Sequence, residues 1–305
     1  MIAVTIGCGP YREMAELAAN SVNEQTGLDV IILDDEHLAR SGAADPRHLK
    51  FHLFDLVDCD NLVYFDADMA FLRPWNPSLW KNREEIVCVR DLPWSIGPEA
   101  IRFGIPVFEY FNAGLFIVNR EYHRGWLELA ERTFEVVRGD LYDQTALNYA
   151  RVTLGLPLKF LDRRYNCIGY GLGPSSFEIP VCVAHAAGAD KDQIMKLLKK
   201  EIEVTNEPIY EIDAELTSSL DGTIWEFDQI GHLKRRFELL PGGAIGVGSM
   251  DYERFWWAVR TRADRRAILF DSSCEISTVL DEHDGAWSGY SHKVGCNVTL
   301  DPIPT

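Results

Sequence analysis

The sequence predicts an α/β domain over residues 1 to about 195, followed by a small all-β unit from residue 221. Three observations carry this expectation. The chain opens strand–helix–strand, the pattern of a parallel sheet. Short unbroken apolar runs then recur, each ending in polar or acidic residues, as fully buried strands of such a sheet do. After Gly222 the helical patterns stop and short strands follow one another closely.

Ile2-Ala3-Val4-Thr5-Ile6 reads as the first buried strand and runs into Gly7-Cys8-Gly9-Pro10. Met14, Leu17, Ala18 and Val22 recur at helical spacing, and residues 29–34 form a second strand ending in Asp34. Position 12 is Arg, so the glycines do not complete a dinucleotide-binding fingerprint, and a dinucleotide-dependent dehydrogenase is poorly supported. A loop of this kind suits the base or ribose of a nucleotide, which makes Ile6, Gly7 and Asp34 candidate contacts. Asp45-Pro46 has the form of a helix start. Leu49, Leu53, Leu56 and Val57 supply the buried stripe of that helix. Lys50, beside the stripe, has two readings: a phosphate contact, or a surface lysine that only lays its stem on apolar neighbours.

Leu62-Val63-Tyr64-Phe65 is the run on which the rest turns. Asp66 and Asp68, separated by Ala67, stand at its C-terminal end, the end where open α/β sheets bind ligands. In extended backbone residues i and i+2 point the same way. The two carboxylates therefore suit one divalent cation, Mg²⁺ or Mn²⁺, clamped on a diphosphate. Asp-x-Asp alone is weak in a chain with 47 acidic residues, so the motifs that follow decide.

Leu72-Arg73-Pro74-Trp75 leaves this strand as a turn, and Ile86 to Val89 forms the next, ending in Arg90-Asp91. Asp91 suits a sugar hydroxyl or simply Arg90. Within the apolar strand from Tyr110 to Asn119, Asn112, Ala113 and Gly114 form an interruption. Glycine inside a strand marks a bulge or a close approach, and Asn112 offers a donor and an acceptor to sugar hydroxyls. A bulge around a satisfied buried asparagine is the other reading. Trp126, Leu129, Ala130 and Val137 give an amphipathic helix. Asp143-Gln144-Thr145-Ala146-Leu147-Asn148 then follows Gly139-Asp140 as a helix N-terminus, where an acid complements the dipole. Arg163, Arg164 and Tyr165-Asn166 trail the next short strand. Val181 to Ala184 delivers His185, with Gly188 and Lys191 three and six residues later, a set suited to metal ligation combined with phosphate binding.

Composition limits the function classes. The chain has 305 residues, 47% hydrophobic and 25% charged, enough for one sizeable core and a smaller second unit. A formal net charge of −17 argues against unaided binding to nucleic acid or an anionic membrane. Seven scattered cysteines without a Cys-x-x-Cys pair suggest free thiols and no zinc site. With no apolar run of membrane-spanning length and no signal-peptide pattern, a cytoplasmic protein is expected, and Asn297-Val298-Thr299 reads as a chance sequon.

Four motifs together resemble a family. Tyr64-Phe65-Asp66-Ala67-Asp68, Phe111-Asn112-Ala113-Gly114, Asp143-Gln144-Thr145-Ala146-Leu147-Asn148 and His185-x-x-Gly188-x-x-Lys191 occur in the order seen in GT-A glycosyltransferases of the glycogenin and bacterial galactosyltransferase type. The resemblance covers residues 1 to about 195. It implies a GT-A mixed sheet with helices on both faces, and a metal-dependent enzyme moving a hexose from a nucleotide sugar, UDP-linked by expectation, to an acceptor hydroxyl. It implies Asp66, Asp68 and His185 as ligands of Mn²⁺ (or Mg²⁺), and Gly188 and Lys191 at the diphosphate. Asn112 and Gln144 would lie around the transferred sugar, with Asp143 helping to place it and Gln144 nearest the anomeric face opposite the leaving phosphate. Asn112, Asp143 and Gln144 are thus the expected catalytic set. Ile6, Gly7, Lys50, Ala67, Asp91, Ala113 and Gly114 join Asp34 and Asp66 as donor contacts, Lys50 standing where the family often has a basic residue. The family usually follows Gly-x-x-Lys with Pro-Trp, whereas Lys191 here runs into Asp192-Gln193-Ile194, a departure on the acceptor side. No carboxylate nucleophile presents itself at position 144, which favours same-face substitution with retention over double displacement.

The expected domains are 1–200 for the transferase, 201–220 as a linker with a helical start, and 221–305 as a small β-barrel or sandwich. Trp225, Phe237, Ile245, Phe255, Ile268, Ile276, Trp287 and Val298 mark about eight strands of a meander, with His283-Asp284-Gly285 as a hairpin turn. Gly222-Thr223-Ile224-Trp225 resembles the Gly-x-Trp start of lipocalin-like barrels with one extra residue. Such a unit can hold the acceptor, mediate a homo-oligomer, or pack against the catalytic unit, and the acceptor class (glycan, protein or small molecule) stays open. The alternatives are a sugar nucleotidyltransferase, disfavoured because residues 7–12 are poor in glycine and basic residues, and a non-catalytic carbohydrate-binding protein, disfavoured because Asp66, Asp68 and His185 are all present.

Overall fold

Apolar runs without alternation build the central strands of the first unit. The computed structural model describes residues 1–43, 45–137, 141–168, 178–187, 191–202, 208–272 and 275–303. They divide into two compact units, Met1–Leu161 with Tyr165–Cys167 and Cys182–Ile202, and Asp162–Arg164 with Ile168–Val181 and Glu203–Thr305. In the first, β1 (Ile2–Ile6) is followed by α1 (Arg12–Thr26), whose Met14, Ala15, Ala18 and Val22 face inward and whose end is capped by Gly27 at φ 68. β2 (Val30–Leu33) leads into α2 (Asp35–Ser41), and Asp34 caps that helix by accepting from the backbone N–H groups of Glu36 and His37.

The single helix expected after Asp45 is instead a 3-10 turn, Pro46–Lys50, and a short α3 (Leu53–Leu56). Leu49, Leu53 and Val57 are buried as expected, and Phe51 and Phe54 are buried with them. Apolar side chains on consecutive positions cannot share one face of a long helix, so the chain breaks into two short turns.

β3 (Asn61–Phe65) is buried at every position. It is followed by β4 (Met69–Phe71), β5 (Ile86–Arg90) and α4 (Pro93–Arg102), the first and last of which the apolar pattern did not announce. β6 (Phe111–Asn119), α5 (Arg120–Val137), α6 (Asp143–Leu154), β7 (Leu158–Leu161), β8 (Cys167–Ile168), β9 (Val183–His185) and α7 (Lys191–Leu198) complete the series. The main sheet has the order β2-β1-β3-β6-β5-β7. β1 pairs parallel with β2 and β3, and β5 with β7, while β6 runs antiparallel to β3 and β5. It is therefore the mixed sheet that the family resemblance implies, not the wholly parallel one that the opening suggests. β6 bulges where its pairing jumps from Cys88–Phe116 to Val89–Asn112. α5 buries His123, Trp126, Leu127, Ala130, Phe134 and Val137 as one stripe, and the Trp126 indole donates to Leu147 O of α6 at 2.8 Å.

The second unit holds β10 (Tyr210–Ile212), α8 (Ala214–Leu220) and eight strands: β11 (Thr223–Gln229), β12 (Leu233–Leu240), β13 (Ala244–Ile245), β14 (Phe255–Thr261), β15 (Arg266–Asp271), β16 (Ile276–His283), β17 (Ala286–Ser291) and β18 (Cys296–Pro302). Their order β14-β13-β12-β11-β18-β17-β16-β15 closes through β14–β15 pairing, so the eight strands form a barrel with no free edge among them. Residues two apart point inward: Trp225 and Phe227, Phe237 and Leu239, Ile268 and Phe270, Val298 and Leu300. Phe227, Phe237 and Phe270 meet ring to ring, with centroids 5.4–5.7 Å apart, so these aromatics are barrel core. A buried ion pair also lies in this unit: Glu253 is fully buried and bonded to Arg235 and to Thr278 Oγ1. The expected hairpin turn is present, with Asp284 at φ 53 and Gly285 at φ 81 between β16 and β17.

Among the described residues, six cysteines are free thiols, and no helix is long and apolar enough to cross a membrane. Cys274 lies outside the described residues.

Two stability predictions follow from this packing. At Gly7 an added Cβ would lie 2.6 Å from Ala15 Cβ and 2.8 Å from Ile32 Cγ2, between α1 and the sheet. Gly7→Ala is expected to destabilise the first unit by about 1–3 kcal/mol in chemical denaturation. Arg235→Met strands the buried Glu253 carboxylate, and a loss of about 3–5 kcal/mol is expected in the second unit.

Candidate metal centre

β3 ends in the two acids, and the antiparallel β4–β9 pair, with Met69 opposite His185, sets an imidazole beside them. His185 Nε2 lies 3.4 Å from Asp68 Oδ1 and 3.9 Å from Asp66 Oδ2. One ligand atom from each of the three residues falls within 4.8 Å of the other two. Backbone bonds hold this corner: Asp66 N–H donates to Gly114 O at 2.8 Å, and Ala186 N–H to Asp68 O at 3.1 Å. Two carboxylates and an imidazole are a donor set that fits Mn²⁺ or Mg²⁺.

Two lysines supply positive charge. Lys50, 4% exposed, places Nζ 2.6 Å from Asp143 Oδ2 and 3.3 Å from Asp66 Oδ1, and donates to Ala113 O at 3.2 Å. It also sits 4.6 Å from the centre of the Tyr64 ring. The surface reading of this lysine is thereby overturned. Burial opposes its charged form, but Asp143 and Asp66 outweigh that and push its pKa up. Lys191, at the start of α7, forms an ion pair with Asp68 Oδ2. Burial alone would raise the Asp68 pKa, yet the hydrogen bond and charge attraction of His185 and Lys191 hold it well below the usual carboxylate range. The Tyr64 hydroxyl donates to Asp66 Oδ1 at 2.7 Å.

Ile6, Lys50, Asp66, Ala67, Asp68, Asp143 and Lys191 line one cavity of about 420 Å³. Tyr11 and Arg47 line it too, and the sequence reading passed over both. Tyr11 is a half-exposed ring, and the Arg47 guanidinium lies 3.9 Å from the centre of the Tyr142 ring and pairs with Asp45. The only local signal for Tyr11 was its place just after Gly9-Pro10.

Asp91, Asn112 and Gln144 are buried and bonded to one another. The amides of Asn112 and Gln144 donate to Asp91 Oδ2 at 3.1 and 2.7 Å, and Leu92 N–H donates to Oδ1 at 2.6 Å. Burial nevertheless pushes the Asp91 pKa up. Gln144 Oε1 accepts from Ala113 N–H at 2.9 Å, and Asn112 Oδ1 accepts from Gly114 N–H at 2.9 Å and Asn166 Nδ2 at 2.9 Å. Asn166 Oδ1 in turn meets His185 Nδ1 at 2.8 Å. Asn166 was noted in the sequence without a role.

Other predicted contacts are engaged structurally. Gly7 is filled against by α1 and Ile32, and Asp34 caps α2 while pairing with Arg12 and His37. Gly114 does mark a close approach, but by a side chain: a Cβ there would lie 2.5 Å from His185 Cε1 and 2.9 Å from Met69 Cε. Gly188 and the Gly139-Asp140 pair lie outside the described residues.

Residues 30–204 match the model of a family described as glycosyl transferase family 8. Among solved structures, the galactosyltransferase LgtC in complex with donor and acceptor sugar analogs is 18% identical, with TM-score 0.49, covering 68% of this chain and 98% of that one. An active-site mutant of LgtC has the same identity and coverages and a TM-score of 0.50. Mouse xyloside xylosyltransferase 1 is 13% identical, with TM-score 0.43, covering 61% of this chain and 97% of that one. The likeness to the LgtC mutant concerns the fold alone, and the mixed sheet described above is that of a GT-A domain. No curated protein matches the chain.

Gly114→Ala is expected to push the His185 ring off its position; if Asp66, Asp68 and His185 hold Mn²⁺, its affinity in a paramagnetic resonance titration should fall by about tenfold or more, the scale on which loss of the groups that orient a ligand acts.

Proposed function

This chain belongs to glycosyl transferase family 8 and is a glycosyltransferase, and we propose that it moves a hexose from a UDP-linked donor to an acceptor hydroxyl with retention of configuration. Asp66, Asp68 and His185 would hold Mn²⁺ (or Mg²⁺), and the observation that carries the proposal is the convergence of their ligand atoms, with His185 buried behind the two acids and Asp66, Asp68 and Lys191 lining one cavity. Residues 1–200 form the transferase domain in this reading, 201–220 the connection and 221–305 the barrel domain.

Breaking a glycosyl–phosphate bond leaves negative charge on the diphosphate. A divalent cation, when bound, supplies Lewis-acid stabilisation of that charge. Lys191, 40% exposed, turns from Asp68 to the phosphates and adds a second positive charge. Lys50 pairs with Asp143 and Asp66, and both carboxylates line the cavity. The exposed ring of Tyr11 offers a face to the nucleotide base.

Retention requires a carboxylate nucleophile on the far face of the sugar or attack from the leaving-group face. Asp143 is paired with Lys50, Asp91 accepts three hydrogen bonds, and the Gln144 amide is bonded at both ends. Each is committed to a partner, which supports same-face substitution, with Gln144 and Asn112 shaping the sugar pocket from behind and Asp143 orienting the sugar.

Calorimetric titration of UDP, with GDP as control, with and without Mn²⁺, tests the reading. Mn²⁺-dependent UDP binding is expected, and Asp68→Ala should weaken it by more than the roughly 10–100-fold that loss of an outer partner costs. Preference for GDP would replace the donor class, and metal-independent or absent binding of both nucleotides would overturn the metal–diphosphate site.

A further inference from the structure

We propose that Asn166 is a positioning residue for the metal centre that determines which nitrogen of His185 carries a proton, its own polarity set through Asn112 by Gly114 N–H and Asp91; this rests on the metal-dependent function proposed above.

Hydrogen-bond direction fixes each amide in turn. A backbone N–H can only donate, so Gly114 N–H fixes Asn112 Oδ1 as the acceptor of that amide. The Asn112 amino group is left facing Asp91, and the 3.1 Å contact there is a donation to the carboxylate. Ala113 N–H fixes Gln144 in the same way, so its amino group also points at Asp91. With Leu92 N–H, three donors converge on Asp91, an arrangement that calls for the acceptor-only carboxylate.

Polarity then runs outward from this anchor. Asn112 Oδ1 also receives Asn166 Nδ2 at 2.9 Å, so the Asn166 carbonyl oxygen is the atom that faces His185 Nδ1 at 2.8 Å. A carbonyl oxygen only accepts. The proton of the neutral imidazole must therefore sit on Nδ1, and Nε2 presents its lone pair towards Asp66 and Asp68. Asp91, Asn112, Asn166 and His185 are exposed by 5, 6, 1 and 2% respectively, so water is poorly placed to substitute for any link. Asn166 thus does for His185 what a carboxylate or backbone carbonyl does for metal-binding histidines elsewhere, and it is itself oriented through one amide, Asn112, by a carboxylate.

The test compares Asn166→Leu with Asn166→Asp in the full chain. The leucine variant keeps the volume and removes the acceptor, and Mn²⁺ affinity without nucleotide should fall about 10–100-fold. The aspartate variant keeps an acceptor for Nδ1–H but loses the donor to Asn112 Oδ1, so Mn²⁺ affinity should fall clearly less than in Asn166→Leu. With isotope-labelled histidine and bound Cd²⁺, the wild type should show cadmium–nitrogen coupling at His185 Nε2 and a proton at Nδ1. Cadmium coupling at Nδ1, unchanged Mn²⁺ affinity in Asn166→Leu, or equal losses in both variants would overturn the inference while leaving the metal centre standing. Failure of the wild type to bind either ion would overturn the metal-centre reading, and this inference with it.

Discussion

Two carboxylates held at the end of one buried strand repel each other, and the surrounding residues of the first unit offset that repulsion. With ligand atoms within 4.8 Å of one another, two unit charges at an effective dielectric near 20 oppose each other by about 3.5 kcal/mol. Lys50 answers Asp66 from inside, Lys191 answers Asp68 from the cavity, and His185 lies between the two acids. The depressed pKa of Asp68, despite burial that pushes the other way, is the net result. In the proposed function, a divalent cation would satisfy both carboxylates at once.

The fold supplies the rigidity this arrangement needs. β3 is buried along its whole length, so the acids start from a fixed frame. Gly114 lies beside the β5–β6 bulge and has no side chain, and the space that a Cβ would need is taken by the His185 ring and Met69. Asn112 meanwhile spends its carbonyl oxygen on Gly114 N–H and Asn166, and its amino group on Asp91. The Phe-Asn-Ala-Gly motif therefore builds the back wall of the centre.

What could be read from the sequence was whatever local pattern encodes. An unbroken apolar run followed by Asp-x-Asp located β3 and its acids, and period-two alternation located the eight barrel strands. β4 and α4 escaped because one has three residues and the other carries Pro98 inside it, so neither has an apolar period long enough to register. Lys50 looked ambiguous for a different reason. Its partners Asp66, Ala113 and Asp143 lie 16, 63 and 93 positions along the chain, and burial beside a distant carboxylate leaves no mark on the neighbouring residues. Asn166 could not be assigned at all, since its importance lies in the direction of two hydrogen bonds that only tertiary structure defines. Glycine at 114 was readable as a close approach, but the approaching group was not.

The measurement that bears most directly on the account is an anomalous-scattering map at the manganese absorption edge from crystals grown with Mn²⁺ and UDP. The account predicts one strong peak bounded by Asp66, Asp68 and His185 Nε2, with the diphosphate on its cavity side and Lys191 turned towards it. Density for UDP with no peak among these three residues, or a manganese peak held by other side chains, would contradict it.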